Sequence, residues 1–327
     1  MQIRLYQDGD EQGFMALDKM VEINPWNRRT LSNWQWKYKG PNPAGQSLMV
    51  VADHEGEVVG FFSALPMNYW LGGEEVLGSH SIAMMIKPEW QNKGLIKFVA
   101  DRLIKEISER KILFTYGFPN DCAYALHVKH LGYRDISQQK LLERKLGVRV
   151  DVELNRFTAG LEFNKINRFD DSVIDLWDEA KKYLKIALIR TPDFLNWRYI
   201  ERPDVNYYAF GAYRDEKLAG YCVLKLYREG KLLRGHFLDL FAVPEDKEVG
   251  QFLVQQSLVF FKNEKVDEVN LWMQGSAYLK EILFEYGFRN ASTRPMICRF
   301  NFEAEKLERL LTEENWYFTM GDTQEIY

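Results

Sequence analysis

The sequence from Ile86 to Val99, IKPEWQNKGLIKFV, joins the end of an apolar segment, a proline-marked turn and the start of a helix. Backbone N–H groups in the first turn of a helix lack intrahelical acceptors and lie at the positive end of the helix dipole. Gly94 has no side chain, so an anion can approach the backbone closely. Gln91 and Lys93 add side-chain donors and one positive charge. The stretch therefore predicts an anion site suited to a pyrophosphate.

An internal repeat places this stretch in a larger pattern. Segments of the first half recur in the same order in the second half, with an offset between 155 and 162 residues. The matched pairs are Arg29-Thr30 with Arg190-Thr191, Trp36-Lys37-Tyr38 with Trp197-Arg198-Tyr199, Pro41 with Pro203, Val51–Gly60 with Gly211–Gly220, Ile86-Lys87-Pro88 with Ala242-Val243-Pro244, and His130–Arg134 with Glu285–Arg289. One shared segment could arise by chance, but ordered matches at a nearly constant offset indicate a tandem duplication.

Both halves predict the same order of elements. The first half predicts helices over 13–23, 30–38, 93–110 and 121–131, and strands over 47–52, 58–70, 76–86, 111–118 and 138–146. The second half predicts helices over 172–185, 247–263 and 277–286, a strand over 268–273, strands near Tyr207, Ala219 and Phe237, and a helix beginning near Glu303. We therefore expect an α/β fold (α+β mixed sheet) of two tandem domains, 1–150 and 151–327, each with a central mixed sheet flanked by helices.

The composition is that of an ordinary globular protein, with 46% hydrophobic and 28% charged residues and a net charge of −4 at pH 7. A nucleic-acid binder usually carries a strongly basic surface, so this charge predicts no nucleic-acid partner. No apolar run approaches the roughly 18 residues of a membrane span, and no signal peptide is visible at the start. The three cysteines, Cys122, Cys222 and Cys298, have neither a disulfide-framework nor a metal-site spacing. We expect a cytoplasmic protein without a membrane partner or a metal.

The loop from Gln91 to Ile96 resembles the pyrophosphate loop of the GNAT acetyltransferases, [QR]-x-x-G-x-[GA], and the resemblance extends over the whole repeat unit. Gln91 and Gly94 match the pattern, whereas Ile96 stands where Gly or Ala is usual and could crowd the phosphates. The resemblance implies acetyl-CoA, or another acyl-CoA, as the cosubstrate. The cofactor-binding loop residues that it implies are Gln91, Asn92, Lys93, Gly94, Leu95 and Ile96.

The second half departs further from this pattern. Its segment 247–252 keeps Gly250 but lacks the Gln or Arg and ends on the bulky Phe252. Glu248 would also repel a phosphate. We expect the second half to be a degenerate copy that shapes the acceptor site or stabilises the first half.

The resemblance also implies groups that handle the thioester. In the family, the strand matching Met84, Met85 and Ile86 offers a backbone N–H to the thioester carbonyl. Asn120 follows the next strand, where GNAT-like folds splay two parallel strands apart and admit the pantetheine arm. Its side chain either caps the following helix or hydrogen-bonds the pantetheine or the acyl group.

Three side chains are candidates for proton transfer. Many GNAT members carry a Tyr five residues before the glycine of a closing L-G-[FY] motif, and that position is His127 in this chain. As an imidazolium, His127 could protonate the leaving thiolate. Tyr124, one turn earlier, is the rival acid, and His80 either acts as a base on the amine through water or packs structurally. Asp322 and the terminal carboxylate of Tyr327 are more speculative site members.

These features favour an N-acetyltransferase that acts on the amine of a small molecule. The segments 36–45, 117–120 and 316–322 resemble acetyltransferases encoded among bacterial polysaccharide-biosynthesis genes, so an amino sugar or a sugar nucleotide is the favoured acceptor. Two alternatives stay open: a tandem-GNAT aminoacyl transferase that uses aminoacyl-tRNA, and a non-catalytic acyl-CoA-binding protein. The absence of basic character and the recognisable loop speak against the first. The oligomeric state stays open between monomer and homodimer.

Overall fold

The first half follows the predicted order of elements. The computed structural model describes residues 1–21, 30–146, 160–275, 277–302 and 304–323, so the predicted domain boundary at residue 150 lies outside the described residues. Strand β1 was not predicted, and the other elements lie within a few residues of their expected bounds. These bounds are β1 Gln2–Leu5, α1 Asp10–Val21, α2 Leu31–Tyr38, β2 Leu48–His54, β3 Glu57–Leu71, β4 Glu74–Ile86, α3 Leu95–Glu109, β5 Phe114–Gly117, α4 Asp121–His130 and β6 Arg134–Lys145.

The second half repeats this order with additions. Its bounds are β7 Leu161–Ile166, α5 Ser172–Ala180, β8 Ile186–Leu188, α6 Pro192–Leu195, β9 Tyr207–Arg214, β10 Lys217–Glu229, β11 Leu232–Ala242, α7 Lys247–Asn263, β12 Glu268–Gln274, α8 Ala277–Glu285, β13 Arg289–Phe300, α9 Ala304–Leu310 and β14 Trp316–Thr319. The helix predicted over 172–185 is α-helical as far as Ala180 and continues as a short 3₁₀ helix to Tyr183 before β8 begins. Strands β8, β13 and β14 were not predicted.

One continuous sheet runs through both halves. Its strand order is β1-β2-β3-β4-β5-β13-β6-β12-β11-β10-β9-β7. Strand β13 of the second half pairs antiparallel with β5 of the first, and β6 of the first half pairs antiparallel with β12 of the second. Strands β13 and β6 pair with each other at the centre. The predicted mixed fold of two related halves is confirmed, and the structure adds an exchange of their terminal strands.

Alternate side chains of the first-half strands enter two different cores. Val51 and Phe61 belong to a large core shared with α1 and the second half, whereas Val50 and Phe62 belong to a separate core beneath α3. Successive side chains of a strand point to opposite faces of a sheet. The two cores therefore lie on opposite faces of the first-half sheet, which we call the inner face and the α3 face.

The two halves meet at equivalent positions of the repeat. The rings of Trp36 and Trp197 stack with their centroids 4.9 Å apart and their planes at 19°. The Trp36 Nε1–H group donates to the carbonyl oxygen of Trp197 at 2.8 Å. Contact between equivalent residues is expected for halves related by an approximate twofold axis.

Candidate active site

The loop between β4 and α3 has an open backbone at its glycine. Gly94 precedes α3 with a φ of +76°, a left-handed conformation that favours glycine. A Cβ atom built there would meet no protein atom within 4 Å. Leu95 begins the helix, so the first amides of α3 lie beside this open space. The geometry suits an anion that contacts the backbone directly.

The side chains of the loop leave this space free. Gln91 turns back, and its Nε2–H group donates to the carbonyl oxygen of Ile86 at 2.9 Å, which fastens the loop to the end of β4. The ammonium of Lys93 lies 5.4 Å from the centroid of the Trp90 ring. Ile96, expected to crowd the phosphates, is half-buried and packs against the core on the α3 face.

A β-bulge and a fork open the sheet next to the loop. Phe61 pairs with Met85 and Ser63 with Ile82, so two residues of β4 oppose one of β3, and Ala83 adopts a φ of +48°. Such bulges bend a strand and interrupt its pairing. The parallel pairing of β4 with β5 ends soon before this bulge, at the pair of His80 and Tyr116. We call this end point the fork, and the space between residues 81–86 and 117–120 the strand gap.

The strand gap is bordered by residues that the sequence predicted to bind the cofactor. Met85 and Ile86 are buried in the last part of β4, and Met84 is half-buried against the α3-face core. Asn120 lies across the gap and caps α4, because its Oδ1 atom accepts from the Ala123 N–H group at 2.9 Å. The capping interpretation of Asn120 is therefore observed. Its Nδ2 group is a donor that the cap does not use.

His127 and Tyr124 lie on α4, on the α3 face of the sheet. The buried His127 ring packs edge-on against Phe62 and Tyr133, and its Nδ1 atom lies 2.7 Å from the carbonyl oxygen of Ala123. Burial lowers the pKa of His127, so the imidazolium expected for a thiolate acid is the minor form at pH 7. The Tyr124 hydroxyl donates to Asp135, which raises the pKa of that phenol. The prediction that one of them is the acid remains a prediction.

His80 lies at the fork on the inner face. It is 2% exposed, and its ring stacks on Tyr116 with the centroids 4.8 Å apart and the planes at 6°. The ring of Phe118 packs edge-on against the His80 ring, with the two centroids 6.0 Å apart. The structure thus brings His80, the strand gap and the loop into one region, while His127 approaches that region from the opposite face of the sheet.

A family model described as "Acetyltransferase (GNAT) domain" matches residues 2–134, which hold the loop, the bulge and the fork. This match identifies a GNAT acetyltransferase domain in the first part of the chain. No curated protein matches the chain.

Solved structures extend the GNAT likeness over both halves. A GCN5-related N-acetyltransferase from Anabaena variabilis has 17% identity and a TM-score of 0.69, over 92% of this chain and 73% of that one. A tandem GNAT protein from the clavulanic acid biosynthesis pathway has 14% identity and a TM-score of 0.64, over 92% and 98%. The N-myristoyltransferase of Saccharomyces cerevisiae, solved with bound myristoyl-CoA, has 13% identity and a TM-score of 0.62, over 91% and 82%. These likenesses concern the fold.

In the second half, charged side chains occupy the position that corresponds to the Gly94 loop. The Asp246 carboxylate caps α7 by accepting from the Val249 N–H group at 3.1 Å. Arg214 forms ion pairs with Asp246 at 2.6 Å and with Glu248 at 3.0 Å. Gly250 lies inside α7, where a Cβ atom would approach side chains of α8 within 3.1–3.3 Å, so this glycine serves helix packing. The expectation that this half is a degenerate copy remains a prediction.

The last described residues fill the fork of the second half. Parallel pairing of β11 with β12 ends at Phe237 and Leu271, after which β12 pairs antiparallel with β14. The Tyr317 hydroxyl donates to the carbonyl oxygen of Leu240 in β11, so the tail bridges both strands. Residues 316–323 are buried throughout. The space that is open in the first half is occupied by the chain itself in the second.

An ion triad holds this tail. The Arg190 guanidinium contacts Asp239 at 3.2 Å and Asp322 at 3.1 Å, and these three side chains are at most 1% exposed. The Asp322 carboxylate also accepts from the Thr319 N–H group at 2.9 Å. Asp322, proposed from the sequence as a site member, therefore lies in the second-half fork, and its pKa is raised to about 6, mainly by burial. The predicted role of Tyr327 lies outside the described residues.

The repeat register contained a signal that sequence reasoning missed. The offset that aligns Ile86 with Ala242 also aligns His80 with His236. His236 stacks on Tyr227 with the centroids 4.3 Å apart and contacts Asn270 through Nδ1. Burial lowers the pKa of His236 to about 3. Equivalent histidines thus stand at both forks, and the one in the second half is buried and neutral.

Metal and membrane features are absent from the part of the chain that the structure describes. Within it, no three His, Cys, Asp or Glu side chains are grouped to hold a metal ion. No helix among the same residues is long and apolar enough to cross a membrane. The three cysteines are unpaired.

Proposed function

We propose that the protein is an acyl-CoA-dependent N-acyltransferase that transfers an acetyl group to the amine of a small molecule. The proposal rests mainly on one observation: the strand gap begins directly beside the loop whose backbone is open at Gly94. A pyrophosphate on the loop and a pantetheine arm in the gap would use two adjacent features of one strand. The GNAT domain match supports acyl transfer as the chemistry.

The residues around the gap have separate roles in this proposal. The backbone of Asn92 to Ile96 receives the pyrophosphate, with the Lys93 ammonium nearby. The gap edge of β4, from Met84 to Ile86, offers backbone donors to the pantetheine and to the thioester carbonyl. The Nδ2 group of Asn120 reaches the arm from the opposite side.

Proton transfer uses the two faces of the sheet. We assign His80, on the inner face, to the proton that the attacking amine loses, directly or through water. His127, on the α3 face, and Tyr124 beside it are the candidate donors to the leaving thiolate. Because His127 is mostly neutral at pH 7, a role as acid requires kcat to fall as the pH rises above its lowered pKa.

The second half packs against the inner face at the fork, and in this proposal it shapes the acceptor site. We favour an amino sugar or a sugar nucleotide, as the resemblance to polysaccharide-gene acetyltransferases implies. We also propose that residues 1–150 form the catalytic domain and 151–327 the acceptor-shaping domain. A cytoplasmic location fits the three unpaired cysteines.

A pair of glycine variants tests the cofactor site. Gly94→Ala and Gly230→Ala both place a Cβ at positive φ in open space, so we expect a similar loss of about 1 kcal/mol of stability for each. Gly94→Ala alone is expected to weaken CoA binding, by about tenfold or more in a calorimetric titration, because its methyl group meets the phosphates. Equal CoA affinities in the two variants would refute the loop assignment.

Activity is tested by free-thiol release from acetyl-CoA with a panel of amines and amino sugars. We expect turnover with at least one amine and a larger loss of kcat for His80→Gln than for Tyr124→Phe. Binding of acetyl-CoA without any amine-dependent thiol release would favour a non-catalytic acyl-CoA-binding protein. If millimolar acetyl-CoA did not raise the melting temperature, both the enzyme and the non-catalytic acyl-CoA-binding protein would be refuted.

A further inference from the structure

We propose that this protein accepts only short acyl groups, because aromatic rings fill the end of the strand gap where the acyl group must lie. The inference rests on the proposed function and adds the chain length of the donor. It concerns five rings that we call the fork cluster: His80, Tyr116, Phe118, Trp272 and Phe318.

The position of the acyl group follows from the geometry of the gap. The gap begins beside Gly94 and runs back along β4 from Ile86 to Ser81, five residue steps that span about 17 Å at 3.3 Å per residue. It closes at the fork, where His80 pairs with Tyr116. The acyl group is at the opposite end of the pantetheine arm from the pyrophosphate. With the pyrophosphate on the loop, the acyl group therefore lies next to the fork.

The fork cluster occupies the inner face at this point. Besides its contacts with His80, Phe118 lies 5.1 Å from Phe318 and 5.3 Å from Trp272 between ring centroids. Tyr116 lies 6.1 Å from Phe318. Four of the five rings are at most 4% exposed, and Phe118, half-buried, is the one that borders the gap. The rings come from β4, β5 and the segment after it, β12 and β14, so both halves build the cluster.

A second layer of aromatic rings supports the cluster from behind. Trp316 lies 6.0 Å from Tyr116 and 5.9 Å from Tyr69, and Tyr69 lies 5.0 Å from Phe114. These rings are at most 1% exposed. The Tyr116 hydroxyl donates to the backbone oxygen of Asp322 at 3.0 Å, which fixes the ring through the tail. An acyl chain that continued past the fork on this side would have to displace fixed rings.

The α3 face of the fork is closed as well. A Cβ atom on Gly117 would lie 3.4 Å from the Cβ of Ser81, so the two strands are still in contact one residue beyond the last pair. The Tyr133 side chain lies beside Ser81 on this face, and Tyr133 itself is 4% exposed. An acetyl or propionyl group beside Phe118 would not reach past the fork, whereas a medium or long chain would have to displace these packed side chains. The likeness to a myristoyltransferase fold therefore does not extend to the donor.

The test is a calorimetric titration of the full chain with CoA, acetyl-CoA, butyryl-CoA and octanoyl-CoA below its micelle concentration. We expect acetyl-CoA to bind within about threefold of CoA, and octanoyl-CoA at least about thirtyfold more weakly than acetyl-CoA. Phe318→Ala removes a ring from the cluster and is expected to improve octanoyl-CoA binding at least about tenfold, with acetyl-CoA little changed. Phe163→Ala, which breaks the stacked pair of Phe163 and Phe210 far along the sheet, is the matched control and should leave the preference unchanged.

The relative affinities for CoA, acetyl-CoA and octanoyl-CoA either support or overturn the inference. Octanoyl-CoA binding as tightly as acetyl-CoA would overturn the inference and leave the proposed function standing. If neither CoA nor acetyl-CoA bound, both the proposed function and this inference would be refuted. If Phe318→Ala does not fold, Phe118→Leu makes a smaller opening at the gap side of the cluster. An unchanged octanoyl-CoA affinity in a folded variant would then count against the cluster as the determinant.

Discussion

Arg190 balances two buried carboxylates at the scale of single residues. Its guanidinium contacts Asp239 and Asp322, and the rings of Phe241 and Tyr317 lie 5.1 and 5.0 Å from its central carbon. A buried ion pair contributes little over an apolar replacement of the whole group, but removing one partner leaves a charge without compensation. The triad is therefore expected to be sensitive to single substitutions.

Arg190→Met should lower the free energy of unfolding by about 3–5 kcal/mol, because it leaves two buried carboxylates without their positive partner. Urea unfolding followed by circular dichroism measures the change. Arg168→Met is the matched control, since it removes a solvent-exposed pair with Glu201 and should cost less than about 1 kcal/mol. If the two variants lost similar amounts of unfolding free energy, the ion triad would not be the main contact that holds residues 316–323.

Asp322 gives the stability a pH dependence of known sign. An unfolded aspartate has a pKa of about 3.9, whereas burial raises the pKa of Asp322 to about 6 in the folded chain. Between these values the folded state binds more protons, so this group's contribution to stability falls as the pH rises. Asp322→Asn cannot titrate, and its melting temperature relative to the parent should therefore be higher at pH 7.5 than at pH 5. A difference that stays constant across this range would contradict the assignment.

At the scale of elements, the same strand–loop–helix unit occurs in both halves of the chain but has different surroundings in each. In the first half β4, the Gly94 loop and α3 leave an open gap. In the second half β11 and α7 carry an aspartate cap at the loop, and β14 lies in the fork. The difference comes from the residues of the loop and from the strand packed against the unit, since both halves keep the bulge and the parallel pair.

A titration with CoA should accordingly give one binding site per chain. The second half cannot offer a site without releasing β14 from β12, which would expose eight buried residues from 316 to 323. Calorimetry measures the stoichiometry directly. Two sites per chain, or a residual site of unchanged affinity in Gly94→Ala, would show that the second fork also accepts the cofactor.

At the scale of the whole molecule, the exchange of β6 and β13 makes the halves interdependent. Strand β6 lies between β13 and β12, and β13 lies between β5 and β6. Separating the halves would strip a pairing partner from the edge of each sheet and expose strand edges at the centre of the molecule.

We therefore expect a single cooperative unfolding transition for the full chain, in contrast to two independent domain transitions. Scanning calorimetry would give equal calorimetric and van't Hoff enthalpies in that case. Two resolved transitions, or a calorimetric enthalpy well above the van't Hoff value, would indicate that the halves unfold separately in spite of the exchange.

The sequence by itself determined the duplication, most of the helices and strands, and the Gly94 loop. These depend on local rules: the period of apolar residues, the chemistry of a helix N-terminus and the freedom of glycine at positive φ. The tertiary structure alone decided the rest. The strand exchange, the tail in the second fork and the ring contacts of the fork cluster join residues up to about two hundred positions apart, such as Tyr116 and Asp322. The sheet face of His80 also follows from pairing register, which a one-residue shift would invert.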